Sequence, residues 1–71
     1  MVYEYTRKSV RLSEILRVLK NNNIINKEYL AEELGVSTRT IVRDIKELIN
    51  IGYKIKIING RCGGYSLNIE D

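Results

Sequence analysis

Histidine and proline are missing from the 71 residues of this chain, and cysteine occurs once, at Cys62. Without histidine the common zinc-ligand patterns cannot be built, and a lone cysteine closes no disulfide within the chain. Neither metal nor crosslink therefore assists a chain near the size at which one hydrophobic core is only marginally sufficient, and self-association is the expected supplement. No apolar run approaches the roughly 20 residues of a membrane-spanning helix, and the opening MVYEYTRKSVRL lacks the apolar centre of a secretory signal. The expectation is a soluble protein of a reducing, cytoplasmic setting. With proline absent, glycine and asparagine supply the punctuation, and no repeat, low-complexity tract or linker interrupts it.

What is present is ordinary in amount and uneven in placement. Hydrophobic residues at 44% and charged residues at 30% are the proportions of a globular domain, which excludes disorder beyond the ends. The net charge is only +3. Residues 37–61, however, hold Arg39, Arg43, Lys46, Lys54, Lys56 and Arg61 against Asp44 and Glu47, whereas the rest of the chain holds six bases and seven acids. Such clustering is the footprint of a polyanion site, or else a solvated basic face.

Three helical stretches precede two alternating ones. In SVRLSEILRVLKNNN the residues Leu12, Ile15, Leu16 and Leu19 share one helix face, and the asparagine run ends it. The β-branched pair Ile24 and Ile25 suggests a short strand, after which Asn26 is placed to cap a helix over residues 27–34 that Gly35 stops. Ser37 caps a third helix, running to about Asn50 with Ile41, Ile45 and Leu48 on its core stripe, and Gly52 terminates it. Beyond it Tyr53, Ile55 and Ile57 alternate with Lys54 and Lys56, and Tyr65, Leu67 and Ile69 alternate with Ser66 and Asn68. The intervening NGRCGG has two pairs, Asn59-Gly60 and Gly63-Gly64, that tolerate the positive φ angles of a hairpin. Residues 1–8 read as an arm, a short strand or a tail, and residues 70–71 as a tail.

The third helix carries the functional question. At about 100° per residue, Ile41, Ile45, Leu48 and Ile49 fall within an arc of about 100°, while Lys46, Arg39, Asn50 and Arg43 fill an arc of about 60° opposite. A helix with one buried face and three aligned cations on the other suits the major groove, where guanine offers O6 and N7 to a forked guanidinium. Its free N–H groups near Ser37 to Arg39 would favour a phosphate. The competing interpretation is a solvated face with Arg43 paired to Glu47 one turn on. Helix, short turn with Gly35, and helix with basic residues near its start make the helix-turn-helix arrangement. The hairpin then serves as a wing, Arg61 at its tip and Lys54 and Lys56 on its outward face.

The stretch YLAEELGVSTRTIVRDIKELINIGYKIKIINGRCGGYSL resembles the winged helix-turn-helix domains of bacterial DeoR-type regulators and of WYL-type regulators and, more distantly, the DNA-binding domain of the biotin repressor. The shared pattern is LAEELGVSxRTIxRDIxxL, then GxxI and a wing GxxGGYxL, covering residues 9–69. The resemblance implies an α+β fold of three helices and a C-terminal β-hairpin wing. It also implies a DNA-binding regulator, expected to be a cytoplasmic, nucleoid-associated repressor; no cofactor is expected, and a homodimer is, because tight specific binding normally needs two half-sites. By position it implies groove contact by Thr38, Arg39, Thr40 and Arg43, support from Lys46, and backbone contact around Asn59, Gly60 and Arg61. It gives Asp44 a structural part rather than a DNA contact.

Val42 and Ser66 stand where many relatives have arginine, which removes two phosphate contacts. Relatives usually continue into an effector-binding or oligomerising domain, so the chain is expected to be either an excised DNA-binding domain or a small stand-alone regulator. Two other functional classes compete: a winged-helix module binding an acidic protein partner, and a single-strand or RNA binder. Glu28, Glu32 and Glu33 form a carboxylate cluster, but acids at a helix start ordinarily meet its dipole, and an enzyme is not expected. Cys62 is expected to be a spectator thiol in a glycine-rich turn. Tyr53 and Tyr65 are expected to close the core beneath the wing, and Tyr3 and Tyr5 to serve an arm or dimer contact.

Overall fold

A computed structural model describes residues 7–60 and 63–67. Three helices, α1 (Lys8–Lys20), α2 (Lys27–Leu34) and α3 (Thr38–Ile51), are followed by strands β1 (Ile55–Ile58) and β2 (Gly64–Leu67). The fold is a winged helix-turn-helix of the α+β class. The expected arm residues Tyr3 and Tyr5, together with Arg61, Cys62 and Ile69, lie outside the described residues. Among the described residues no helix is long and apolar enough to cross a membrane.

Local chemistry sets each boundary. The Asn26 side chain accepts from the backbone N–H of Tyr29 at 2.7 Å, satisfying a donor that the first turn of α2 would leave free. At the other end Gly35 adopts the left-handed region, φ 71°, and the chain reverses so that the Val36 N–H donates to the Ala31 carbonyl at 3.0 Å. Ser37 then caps α3 by accepting from the N–H of Thr40 at 3.2 Å. Only residues 35–37 separate the two helices.

Among the described residues, twelve side chains drawn from all elements form the core. Ile15, Val18 and Leu19 of α1 meet Leu30, Ala31 and Leu34 of α2 and Ile41, Ile45 and Leu48 of α3, with Ile25, Ile55 and Tyr65 closing one end. Leu12 and Leu16, assigned to the core stripe of the first helix by spacing, pack only at its margin, while Val18 is buried.

β1 and β2 pair antiparallel, Ile55 with Leu67 and Ile58 with Gly64 at the two ends. The expected short strand before α2 is a single bridge: Ile25 N–H donates to the Tyr65 carbonyl at 3.0 Å and Tyr65 N–H to the Ile25 carbonyl at 2.7 Å. Three expectations for this region are corrected. Tyr53 and Ile57 are exposed, 43% and 50%, because an alternating pattern records which side a residue takes and not how deeply it is covered. Ile49, placed on the core stripe of α3, also reaches the surface. In the turn, Gly60 has a positive φ of 113° but Gly63 and Gly64 do not. Those two are required for space: a Cβ on Gly63 would stand 2.1 Å from the Ile58 carbonyl oxygen, and one on Gly64 2.6 Å from that of Ile25.

Gly64→Ala should therefore destabilise the domain by about 1–3 kcal/mol in urea unfolding, since the backbone of Ile25 and Asn26 must move to admit a methyl group. An unchanged midpoint would show that the Ile25 bridge yields freely.

Candidate nucleic-acid interface

The first turn of α3 is organised by its own cap. The Ser37 hydroxyl lies 3.1 Å from that of Thr40 as well as accepting from its N–H, so these two expected contact residues first of all hold the helix start in shape. Thr38 is half-buried beside them and Arg39 is exposed. One and two turns on, Arg43 and Lys46 are exposed on the same side.

None of Arg39, Arg43 and Lys46 forms an ion pair among the described residues. The alternative pairing of Arg43 with Glu47 is not formed, because Glu47 reaches to Lys8 of α1 at 2.8 Å instead. Asp44, next in the chain after Arg43, faces inward: it is 2% exposed and takes both hydrogen bonds of an Arg11 fork, one from Nε and one from Nη2 at 3.2 Å. Its expected structural part is what the geometry shows. The two acids of α3 are thus turned toward α1, and its cations toward solvent.

Sequence reasoning missed two contributors. Lys27, the first residue of α2, lines an open depression with Thr38, Arg39, Val42, Arg43 and Lys46. The cap at Asn26 places it there, and its position as the first residue of the first helix of the pair was the available signal. Val42, noted only as a missing arginine, is half-buried and supplies the apolar floor between the cations. Such a floor can pack on a methyl group while the flanking cations bind oxygen.

A second cleft separates the start of α2 from the hairpin, with Asn59 and Gly60 on one wall and Asn26, Lys27 and Glu28 on the other. Lys27 borders both concavities and joins the α3 residues to the wing tip. Lys54 and Lys56 are exposed on the hairpin, yet Lys56, opposite Ser66, borders neither. Tyr65 lies at the floor of the second cleft, where burial first, and the Glu28 carboxylate second, push its phenol above the ordinary 10.0. Glu28, Glu32 and Glu33 are all exposed, and among the described residues no group of three acidic, histidine or cysteine side chains is gathered as metal ligands would be.

A family model for an HTH domain matches residues 11–66, most of the chain and the greater part of each element just described. A probable licABCH operon regulator of Bacillus subtilis (strain 168) is 38% identical over 64 residues, which is 86% of this chain and 10% of that protein. The chain thus spans about a tenth of the length of this curated relative. Neither match separates the DeoR-type from the WYL-type subdivision. No solved structure matches the chain significantly.

NMR titration of isotope-labelled tyrosine should show Tyr65 ionising above 10.0, and Glu28→Gln should lower its value without restoring the ordinary one, because burial is the larger cause. By linkage, a raised phenol contributes stability that is complete below pH 10.0 and disappears as pH rises through the folded value. A full return to the ordinary value in Glu28→Gln would reverse the order of causes.

Proposed function

The chain belongs to the HTH domain family, and on that premise we propose that it reads double-stranded DNA by sequence, as the DNA-binding module of a transcriptional regulator. The observation that supports this most is the exposed face of α3, where Arg39, Arg43 and Lys46 stand without acidic partners among the described residues. Cations left unpaired on a helix that lines an open depression have phosphate and base edges as their natural complement.

In this reading α3 enters the major groove with Arg39, Thr40 and Arg43 at base edges and Lys46 toward the backbone. Val42 meets a thymine methyl at the floor of the same depression. Ser37 and Thr38 sit where the first N–H groups of α3 favour a phosphate. Lys27, Lys56, Asn59, Gly60 and Arg61 address phosphates on either side, the wing lying along the backbone or minor groove, and so set register. Binding by one copy would be weak, so two copies on an inverted repeat are the functional unit. Occupying a promoter in this way excludes other proteins from it, the action of a repressor. The B. subtilis relative, an operon regulator by name, supports the regulatory part of the reading.

The test is selection of the 71-residue chain on a randomised duplex pool at several salt concentrations, with single-stranded and RNA competitors. Enrichment of a duplex motif is expected. Binding without enrichment, or preference for unpaired strands, would reject sequence reading, and no binding would favour an acidic protein partner. On the selected motif, Arg43→Ala should cost about 1–3 kcal/mol of discrimination at one base position. Lys27→Ala should weaken all duplexes alike and reduce the salt slope by about one.

A further inference from the structure

The ion pairs between α1 and α3 form a ladder. Lys8 meets Glu47 and Arg11 meets Asp44, so each rung advances three residues along α1 and retreats three along α3, as antiparallel helices require. The inner rung is almost wholly buried, with side-chain exposures of 9% for Arg11 and 2% for Asp44. A buried pair of this kind is weak evidence for stability, since apolar residues of similar volume hold two helices together as well or better. Its presence between α1 and α3 of a small domain calls for a different explanation.

The explanation lies in direction. Burial of Ile41, Ile45 and Leu48 against α1 and α2 is favourable over a range of rotations and slides, because the hydrophobic effect is non-directional. A guanidinium fork on both oxygens of a carboxylate is satisfied at one orientation only. Asp44 is preceded by Arg43, about 100° away around the helix, so whatever fixes the rotation of α3 at Asp44 fixes the direction in which the Arg43 side chain leaves it. A slip of one residue would move every α3 side chain by about 1.5 Å along the axis and about 100° around it. Lys27 is carried by α2 and does not share that displacement.

We propose that the Arg11–Asp44 pair is a positioning device for sequence reading: it fixes the rotation and axial register of α3 against α1, so that Arg39 and Arg43 meet base edges while Lys27 and the wing hold phosphates. Arg11 and Asp44 touch no DNA and act through α3. The proposal rests on the sequence-specific reading above and adds two residues to what determines selectivity.

The experiment compares three proteins on the selected duplex and on a random duplex of the same length: the unaltered chain, Arg11→Met combined with Asp44→Leu, and Arg11→Lys. The double substitution removes both charges together and keeps the site filled. The single one keeps the charge pairing and loses the fork. The decisive quantity is the ratio of affinities for the two duplexes. A merely stabilising pair, when lost, lowers both affinities by the same folded fraction and leaves the ratio unchanged, whereas a misplaced Arg43 lowers the ratio alone. We expect the ratio to fall by about tenfold in the double variant, the equivalent of losing one good base contact, and by less in Arg11→Lys. Random-duplex affinity and its salt slope should be unchanged. Thermal melting establishes that each variant is folded, and should the double variant fail to fold, Arg11→Lys decides. An undiminished ratio in the folded variants overturns the positioning proposal alone. A ratio of one in the unaltered chain overturns the sequence-specific reading and this inference with it.

Discussion

The three residues between α2 and α3 are the constraint on which the rest of the domain depends. With Gly35 in the left-handed region, Val36 tied back to Ala31 and Ser37 already capping the next helix, the chain has no freedom to separate the two helices. They must cross in contact, and Leu30 and Leu34 are buried with Ile41 and Ile45 as a result. A 14-residue helix that spends one side on this contact and on α1 has only the opposite side left for solvent. That side carries Arg39, Arg43 and Lys46, so the tightness of the turn and the exposure of the cations are one fact.

The wing is tied to the same frame through three consecutive residues. Ile25 pairs with Tyr65 in the hairpin, Asn26 caps α2, and Lys27 opens α2 as the cation shared by the two concavities. The close backbone approach that bars a Cβ at Gly64 is the counterpart of the Ile25 bridge, since two antiparallel backbones and the turn converge there. Wing and α2 are therefore held together, and Lys27 keeps a fixed place relative to Asn59 and Gly60 across the cleft between them.

Most of this frame was legible because it is encoded locally. Asn26, Ser37, Gly35 and Gly52 mark helix ends through chemistry that each residue carries by itself, and the 3.6-residue period of Ile41, Ile45 and Leu48 assigns the buried face of α3 directly. Depth was harder to see than side. Tyr53, Ile57 and Ile49 occupy apolar positions by pattern and are exposed, because a period records orientation and says nothing of whether another element arrives to cover it. Glu47 misled in the other direction: its i−4 neighbour Arg43 was the local candidate, and the partner it takes, Lys8, is 39 residues away in sequence. Arg11 is the most instructive omission. It stands one turn before Ile15 on the core stripe of α1, as Asp44 stands between Ile41 and Leu48 on that of α3. One charge inside an apolar stripe reads as an edge residue. Two of opposite sign on two stripes are a sequence signal for a buried pair.

Segregation of charge across α3 follows from that pairing and bears directly on the field the domain presents. Had Asp44 faced solvent and Glu47 been left without a cation, both would have stood within a turn of Arg43 and Lys46 and offset much of their potential, since charges so close are little screened by salt. Drawn instead onto Lys8 and Arg11, the acids are neutralised by cations of α1. The net +3 of the whole chain accordingly understates the basic character of one face. The residues that fix α3 in place are also those that keep its exposed face cationic, so orientation and electrostatic attraction share a single structural origin in the contact between α1 and α3.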